Sequence, residues 1–193
     1  MAFLSEQQLA EIGFKSLGTN VLISDKSSIY NAKNIEIGSN VRIDDFSILS
    51  AGDGGIVLED YVHIACFCSL IGQGLIRLCE YSGISSRVSI YSSNDDYSGN
   101  YMTNPTVPPP FTNVTHGDVV LEKHAIIGAG TIILPKVTIG MGTAVGALSL
   151  VMKSCEPYSI YLGNPAKRLK SRANGFETKE IEFLKYREQN EQK

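Results

Sequence analysis

The sequence contains no long apolar run. Nothing in it approaches the ~20 apolar residues that a membrane-spanning helix requires, and no secretory-leader pattern opens it, so a soluble, cytoplasmic protein is expected. A basic tract is missing too. With 17 Lys and Arg against 20 Asp and Glu, the formal net charge is −3, which argues against a general binder of nucleic-acid phosphates. The four cysteines, Cys66, Cys68, Cys79 and Cys155, lack zinc-ligand spacing. Cys66 and Cys68 lie two apart in a strand-like stretch, where side chains share a face but seldom bridge, so reduced buried thiols are expected. Only three histidines occur, His63, His116 and His124. No catalytic triad, metal-ligand cluster or phosphate-binding glycine loop can be traced.

What the sequence does have is a period of six. Apolar residues fall at Leu121, Ile127, Ile133, Ile139, Val145 and Val151, and Gly128, Gly140 and Gly146 each follow one of them. Ala125, Thr131, Val137, Thr143 and Ser149 add small or β-branched residues four places after the first five. A helix needs spacing near 3.6 and an ordinary strand spacing of 2, so this pattern means short strands joined by corners, as in a β-helix. Earlier series repeat it: Ile23, Ile29, Ile37 and Ile43; Leu58, Ile64 and Leu70; Leu78, Ile84 and Ile90, with two-residue slips after Ile29 and Leu70. Three units close a triangular coil of about 18 residues, and stacked coils bury the apolar row that one coil cannot.

At 193 residues the chain suits one domain. Residues 1–20 read as a helical N-terminal cap. Ser5 and Gln8 have capping-box spacing, a helix runs through about Ile12 to Gly13, and Leu9, Ile12 and Phe14 plug the first coil. Residues 21–156 read as the β-helix, broken by a loop over 91–118 rich in turn formers such as Asn94-Asp95-Asp96 and Pro108-Pro109-Pro110. A loop that long is functional or disordered, and Tyr97, Tyr101 and Phe111 favour an ordered one. Residues 157–193 read as a turn region and an amphipathic helix from Thr178 to about Gln189, with Ile181, Leu184 and Phe183 on its apolar side.

The blocks Ile127-Gly128-Ala129-Gly130, Val137-Thr138-Ile139-Gly140, Val145-Gly146-Ala147 and Gly163-Asn164-Pro165-Ala166-Lys167 resemble those of the hexapeptide-repeat acyltransferases, over roughly Ile23 to Arg172. The order of repeats, loop, repeats and Asn-Pro-Ala-Lys turn is most similar to the sugar and xenobiotic acetyltransferase branch. The resemblance implies an all-β fold, a left-handed parallel β-helix with short terminal helices and one protruding loop. It further implies a homotrimer holding an acyl-CoA co-substrate in each groove between subunits, with the loop closing the site. It places Ala129 and Ala147 along the pantetheine arm. Lys153, Lys167, Arg168, Lys170 and Arg172 would lie near the adenosine phosphates, with Lys167 and Lys170 at the family's basic positions.

The acyl-transfer side departs from that pattern. Many members that acetylate hydroxyls carry a histidine just after the repeat preceding the loop, as a base of pKa near 7 for the attacking oxygen. Here that place reads Ser92-Ser93-Asn94-Asp95-Asp96, and a second family position, an asparagine one coil earlier, corresponds to Cys66 or Cys68. An amine acceptor needs no histidine. A carboxylate from Asp95 or Asp96 would hold the ammonium, and the leaving CoA thiolate would accept the proton. The resemblance therefore implies an N-acyltransferase of an amino sugar, nucleotide-linked and of dTDP type, serving surface polysaccharide assembly. The competing expectation is a sugar O-acetyltransferase with His116 or His124 as base. His63, at a coil corner, is a surface or groove-lining residue. A non-catalytic scaffold is a third possibility, against which the Gly-Ala pairs and the Asn-Pro-Ala-Lys turn both count.

Overall fold

The computed structural model describes residues 2–191. The inward positions of the six-residue period stack in rows. Ile37, Leu58, Leu78, Leu121 and Ile139 line one face; Ile43, Ile64, Ile84, Ile127 and Val145 line a second; Leu49, Leu70, Ile90, Ile133 and Val151 line a third, all buried. Each coil contributes one short strand per face, paired in parallel with the coils before and after it, giving sheets of six, eight and six strands. Face I runs from Ser16–Leu17 to Val137–Ile139, face II from Leu22–Ile23 to Ser159–Leu162, and face III from Ser28–Tyr30 to Leu150–Val151. This is the parallel β-helix that the period predicts. Backbone N–H and C=O groups bond between coils, so open edges exist only at the two ends.

Both ends are covered. Helix α1 (Glu6–Ile12) starts at Ser5, whose hydroxyl accepts the Gln8 N–H while the Gln8 side chain accepts the Ser5 N–H, a cap worth about 1 kcal/mol. Gly13 ends it with φ 77°. Leu9 is buried, and Ile12 and Phe14 pack on the core as expected of a plug. At the far end, Lys167–Ser171 folds back antiparallel onto Ser159–Leu162 and closes face II.

Residues that break the period emerge at one corner, between faces III and I. They are the turn Ala32–Asn34 and the segments 52–55, 72–75 and 92–118. The corner between faces I and II is regular instead. Asn20, Asn40, Tyr61, Tyr81, His124 and Tyr158 each hold a left-handed φ of 51° to 59° there, with Gly142 in the same column at 64°. Tyr61 stacks on Tyr81 at 5.0 Å and Tyr81 on His124 at 5.2 Å.

Helix α2 (Gly175–Glu191) lies on this column. It begins three residues before the expected Thr178, and of the three apolar residues expected on its packed side Phe183 is there while Ile181 and Leu184 are not. Phe176, Glu180, Phe183 and Arg187, spaced 4, 3 and 4, face the solenoid: Phe183 meets Tyr61 edge-on at 5.3 Å, and Arg187 donates to the Tyr61 hydroxyl at 3.1 Å. Phe176 fills the gap that Gly142 leaves, since a Cβ there would lie 2.5 Å from the ring. Ile181 and Leu184 remain 56% and 39% exposed in this single chain. The receiving wall is aromatic and charged, so it selects the Phe, Glu and Arg stripe over the aliphatic pair.

Candidate active site

Residues 92–118 leave and rejoin the solenoid through a two-stranded neck. Ser93–Asn94 pairs antiparallel with Thr115–His116, setting Ser93 opposite His116. The coil beneath fixes the neck: the Gln73 N–H donates to Ser93 Oγ at 2.8 Å, the Leu75 N–H to Asp118 Oδ1 at 3.0 Å, and the Ser92 hydroxyl to the Gly74 carbonyl at 2.8 Å. Gly74 permits this closeness, because a Cβ there would lie 2.9 Å from the Gly117 backbone. Above the neck opens a cleft of about 660 Å³ lined by Gly72, Gln73, Ser93, Asp95, Asn113 and His116, among others.

Asp95 and His116, from opposite ends of the loop, thus share one cleft. Asp95 is exposed, and no described residue hydrogen-bonds its carboxylate. His116 Nδ1 is 2.8 Å from Ser93 Oγ. Asp96 is turned to the loop itself, accepting the Ser98 N–H at 2.5 Å and the Asn113 amide at 3.0 Å. Those bonds hold its pKa below the usual carboxylate range.

His124 lies away from this cleft, on the corner between faces I and II. Its ring is stacked on Tyr81 and covered by Phe176 at 4.7 Å, and its Nε2 is 2.8 Å from Glu180 Oε2. The expectation of a base at this position gives way to a structural one: His124 anchors α2. Burial alone would raise the Glu180 carboxyl, but the bonds from Lys123 (2.6 Å) and His124 outweigh it and hold its pKa below the ordinary value. A depressed carboxylate stabilises above its unfolded pKa and loses that contribution as pH falls through the folded one. Amide protection factors in α2 should therefore drop, relative to the solenoid core, below about pH 4. Glu180→Gln should lower them already at pH 7, with little further loss in acid; unchanged protection in the variant at pH 7 would refute the anchor.

The third corner, between faces II and III, carries Ala129 and Ala147 on successive coils. Both are exposed, and among the described residues neither N–H has an acceptor. The coils approach closely because Gly128 lacks a Cβ, which would sit 2.4 Å from the Ala147 nitrogen. The column continues backward to Ser86, whose carbonyl accepts the Gly130 N–H at 3.0 Å, and then to Cys66, whose Sγ is 3.3 Å from Ser86 Oγ. Forward it meets residues 163–166, tied down by Leu150 N–H to Gly163 O at 3.0 Å and Ala166 N–H to Leu150 O at 2.8 Å.

Lys167 follows that turn directly, and Lys170 lies further along the same exposed strand. Lys153 sits past the end of Leu150–Val151, one corner away. Arg172 is engaged elsewhere, donating to the carbonyls of His124 (3.1 Å) and Gly142 (2.9 Å), with burial pulling its pKa down. Cys68 and Cys155 are buried free thiols with pKa pushed up to about 11 by burial. Of the two cysteines at the family's asparagine position, Cys66 faces the corner and Cys68 the core.

No protein-family model matches the chain. Over 173 residues it is 56% identical to dTDP-4-amino-4,6-dideoxy-D-glucose acyltransferase of Escherichia coli, covering 90% of each chain. The chain belongs to this acyltransferase family. Another similar protein is AntD, an N-acyltransferase from Bacillus cereus solved with dTDP and 3-hydroxybutyryl-CoA. It superposes with TM-score 0.93 at 46% identity, over 96% of this chain and 98% of AntD. A serine-to-cysteine variant of AntD, solved with dTDP-4-amino-4,6-dideoxyglucose and coenzyme A, gives TM-score 0.92 at 46% identity, over 95% and 97%. The shared fold is consistent with the left-handed β-helix that the family blocks implied. Ser93, which lines the cleft, and Ser86, on the column of Ala129 and Ala147, were not among the residues expected at the site. Ser86 was within reach, since the Ala147 to Ala129 register, extended back across the loop, lands on it.

Proposed function

We propose that the protein transfers an acyl group from acyl-CoA to the amine of a dTDP-linked 4-amino sugar, as a cytoplasmic homotrimer serving lipopolysaccharide or related surface-glycan assembly. The observation that carries this reading is the Asp95 carboxylate, without a partner among the described residues, in the loop cleft of a chain similar to an AntD variant solved with a dTDP amino sugar and CoA. Asp95 holds the sugar ammonium by a charge-assisted hydrogen bond. Once one proton has left to water, the lone pair attacks the thioester carbonyl. The C–N bond forms, the C–S bond breaks, and the departing thiolate takes the second proton as the amide is released.

The amine reading gives His116 a positioning role. Its Nδ1 is engaged by Ser93 Oγ at 2.8 Å, and Ser93 Oγ is itself held by the Gln73 N–H, which fixes the ring at the cleft wall with Nε2 left for a ligand. A ring held in this way positions the sugar, and acylation of an amine asks no histidine to take the proton. His116→Ala should therefore cost only about tenfold in kcat/KM.

The placement of the corners supports the trimer. Asp95 stands at the corner between faces III and I, and the Ala129–Ala147 column at that between faces II and III. A cyclic trimer with heterologous contacts brings the first corner of one subunit to the second corner of the next. The pantetheine arm lies along Ala147 and Ala129, with Lys167 and Lys170 at the phosphates and Lys153 reaching them from the adjoining subunit. Lys167→Ala should raise KM for acyl-CoA about three- to tenfold with kcat nearly unchanged, because it removes a solvent-screened phosphate contact and no reacting group. The reading is tested by incubating the protein and acetyl-CoA with dTDP-4-amino-4,6-dideoxyglucose or its 4-hydroxyl counterpart. Mass spectrometry should show an acetamide from the first and nothing from the second. The reverse would establish the O-acetyltransferase.

A further inference from the structure

The outward row of face II runs Arg42, His63, Gly83, Ile126, Ala144 in consecutive register. Gly83 leaves a gap in that row. Packing does not require a glycine there: an added Cβ would meet only the His63 carbonyl, at an ordinary 3.7 Å, and φ is not left-handed. The gap opens a notch of about 250 Å³ with Ile126 on one side, His63 on the other, and Ala65, Ser85 and Ser86 along its rim.

The polar end of the notch is braced. His63 Nε2 is 2.9 Å from Asp44 Oδ2, and Arg42 Nε donates to Asp44 Oδ1 at 2.7 Å. Asp44 is only 8% exposed. Burial alone would raise its pKa, but the bonds from Arg42 and His63 outweigh burial and keep the carboxylate charged. The Asp44 carboxylate takes the His63 Nε2–H, which leaves Nδ1 without a hydrogen bond among the described residues.

The notch adjoins the column assigned to the pantetheine arm. Ser86 lies one coil before Ala129, as Ala129 lies one coil before Ala147. An arm running from Ala147 past Ala129 delivers its thioester at Ser85 and Ser86, on the rim. We propose that this notch is the acyl-chain subsite, shaped by the missing side chain at Gly83 for a chain longer than acetyl, with His63 Nδ1 accepting a hydrogen bond from a hydroxyl on that chain. This deepens the proposed reaction and rests on it. Ile126 and the Ala65 methyl take the apolar carbons, and the Asp44–His63 pair reads the hydroxyl. Asp44 is then a positioning residue, which fixes the tautomer that makes His63 an acceptor.

The test compares acetyl-CoA, butyryl-CoA and 3-hydroxybutyryl-CoA with a saturating dTDP-4-amino sugar. Wild type should prefer 3-hydroxybutyryl-CoA, each methylene being worth about tenfold in kcat/KM in a fitted apolar pocket. Gly83→Val fills the notch and should cut kcat/KM for 3-hydroxybutyryl-CoA at least ten times more than for acetyl-CoA. Gly83→Ala should show the same order at smaller amplitude, which covers the case that valine disturbs the strand. His63→Leu should bring 3-hydroxybutyryl-CoA down to the level of butyryl-CoA. Equal losses for all three thioesters in the Gly83 variants, or a His63→Leu enzyme that still favours the hydroxylated chain, would overturn the subsite while leaving the reaction intact. A wild-type protein that turns over none of the three thioesters would overturn the reaction itself, and the subsite with it.

Discussion

Asp95→Asn should reduce kcat/KM for the amino sugar by on the order of 10²-fold or more, the loss expected when one partner of a specific charge pair is removed. The carboxylate is exposed in the cleft and has no hydrogen-bond partner among the described residues, so the fold does not depend on its charge. Asparagine keeps the shape and discards the charge proposed to hold the ammonium. The matching Asp96→Asn should cost far less in rate. Asp96 bonds Ser98 and Asn113 within the loop, so its loss loosens the loop without touching the amine. Steady-state kinetics on the two variants, at pH 7 and saturating acyl-CoA, separate these roles. Equal losses would mean that loop shape, and not the Asp95 charge, carries the effect.

Ala147→Phe should abolish acyl-CoA binding, lowering affinity by about 100-fold or more, since a ring at the exposed corner fills the groove the arm must follow. The methyl of Ala147 points to solvent, so the larger side chain does not enter the core, and the melting temperature should stay near that of wild type. Thermal shift reads both quantities at once. Wild type gains stability with acetyl-CoA by mass action and the variant gains none. A folded variant that still shifts with acetyl-CoA would move the groove elsewhere.

The repeat was legible because its signal is local and redundant. Six residues separate Leu121 from Ile127 and Ile127 from Ile133, and a buried ladder follows whatever the loops do. The long loop was legible as a break in period. Its chemistry was less so, because the Ser93–His116 pairing joins strands 23 residues apart and is set by the register of the neck. His124 shows what single positions conceal. In sequence it is one polar residue before a repeat. In the fold it continues the corner column of Tyr61 and Tyr81, a succession hidden because the 92–118 loop intervenes before His124. The facing of α2 is only partly legible for a related reason: Phe183 packs as expected, but Ile181 and Leu184 do not, because the surface beneath is a ladder of rings and charges.

Mixing two inactive variants addresses the central claim, that the amine and the thioester meet between subunits. Asp95→Asn and Ala147→Phe each inactivate one half of the site on their own chain. If one subunit supplies the groove and its neighbour supplies Asp95, co-expressed chains form trimers in which an intact groove meets an intact carboxylate. Random assembly should then restore about a quarter of wild-type activity from two nearly inactive parents. If both halves belonged to the same chain, no mixture would contain a whole site, and co-expression that yields mixed trimers without activity would contradict the account.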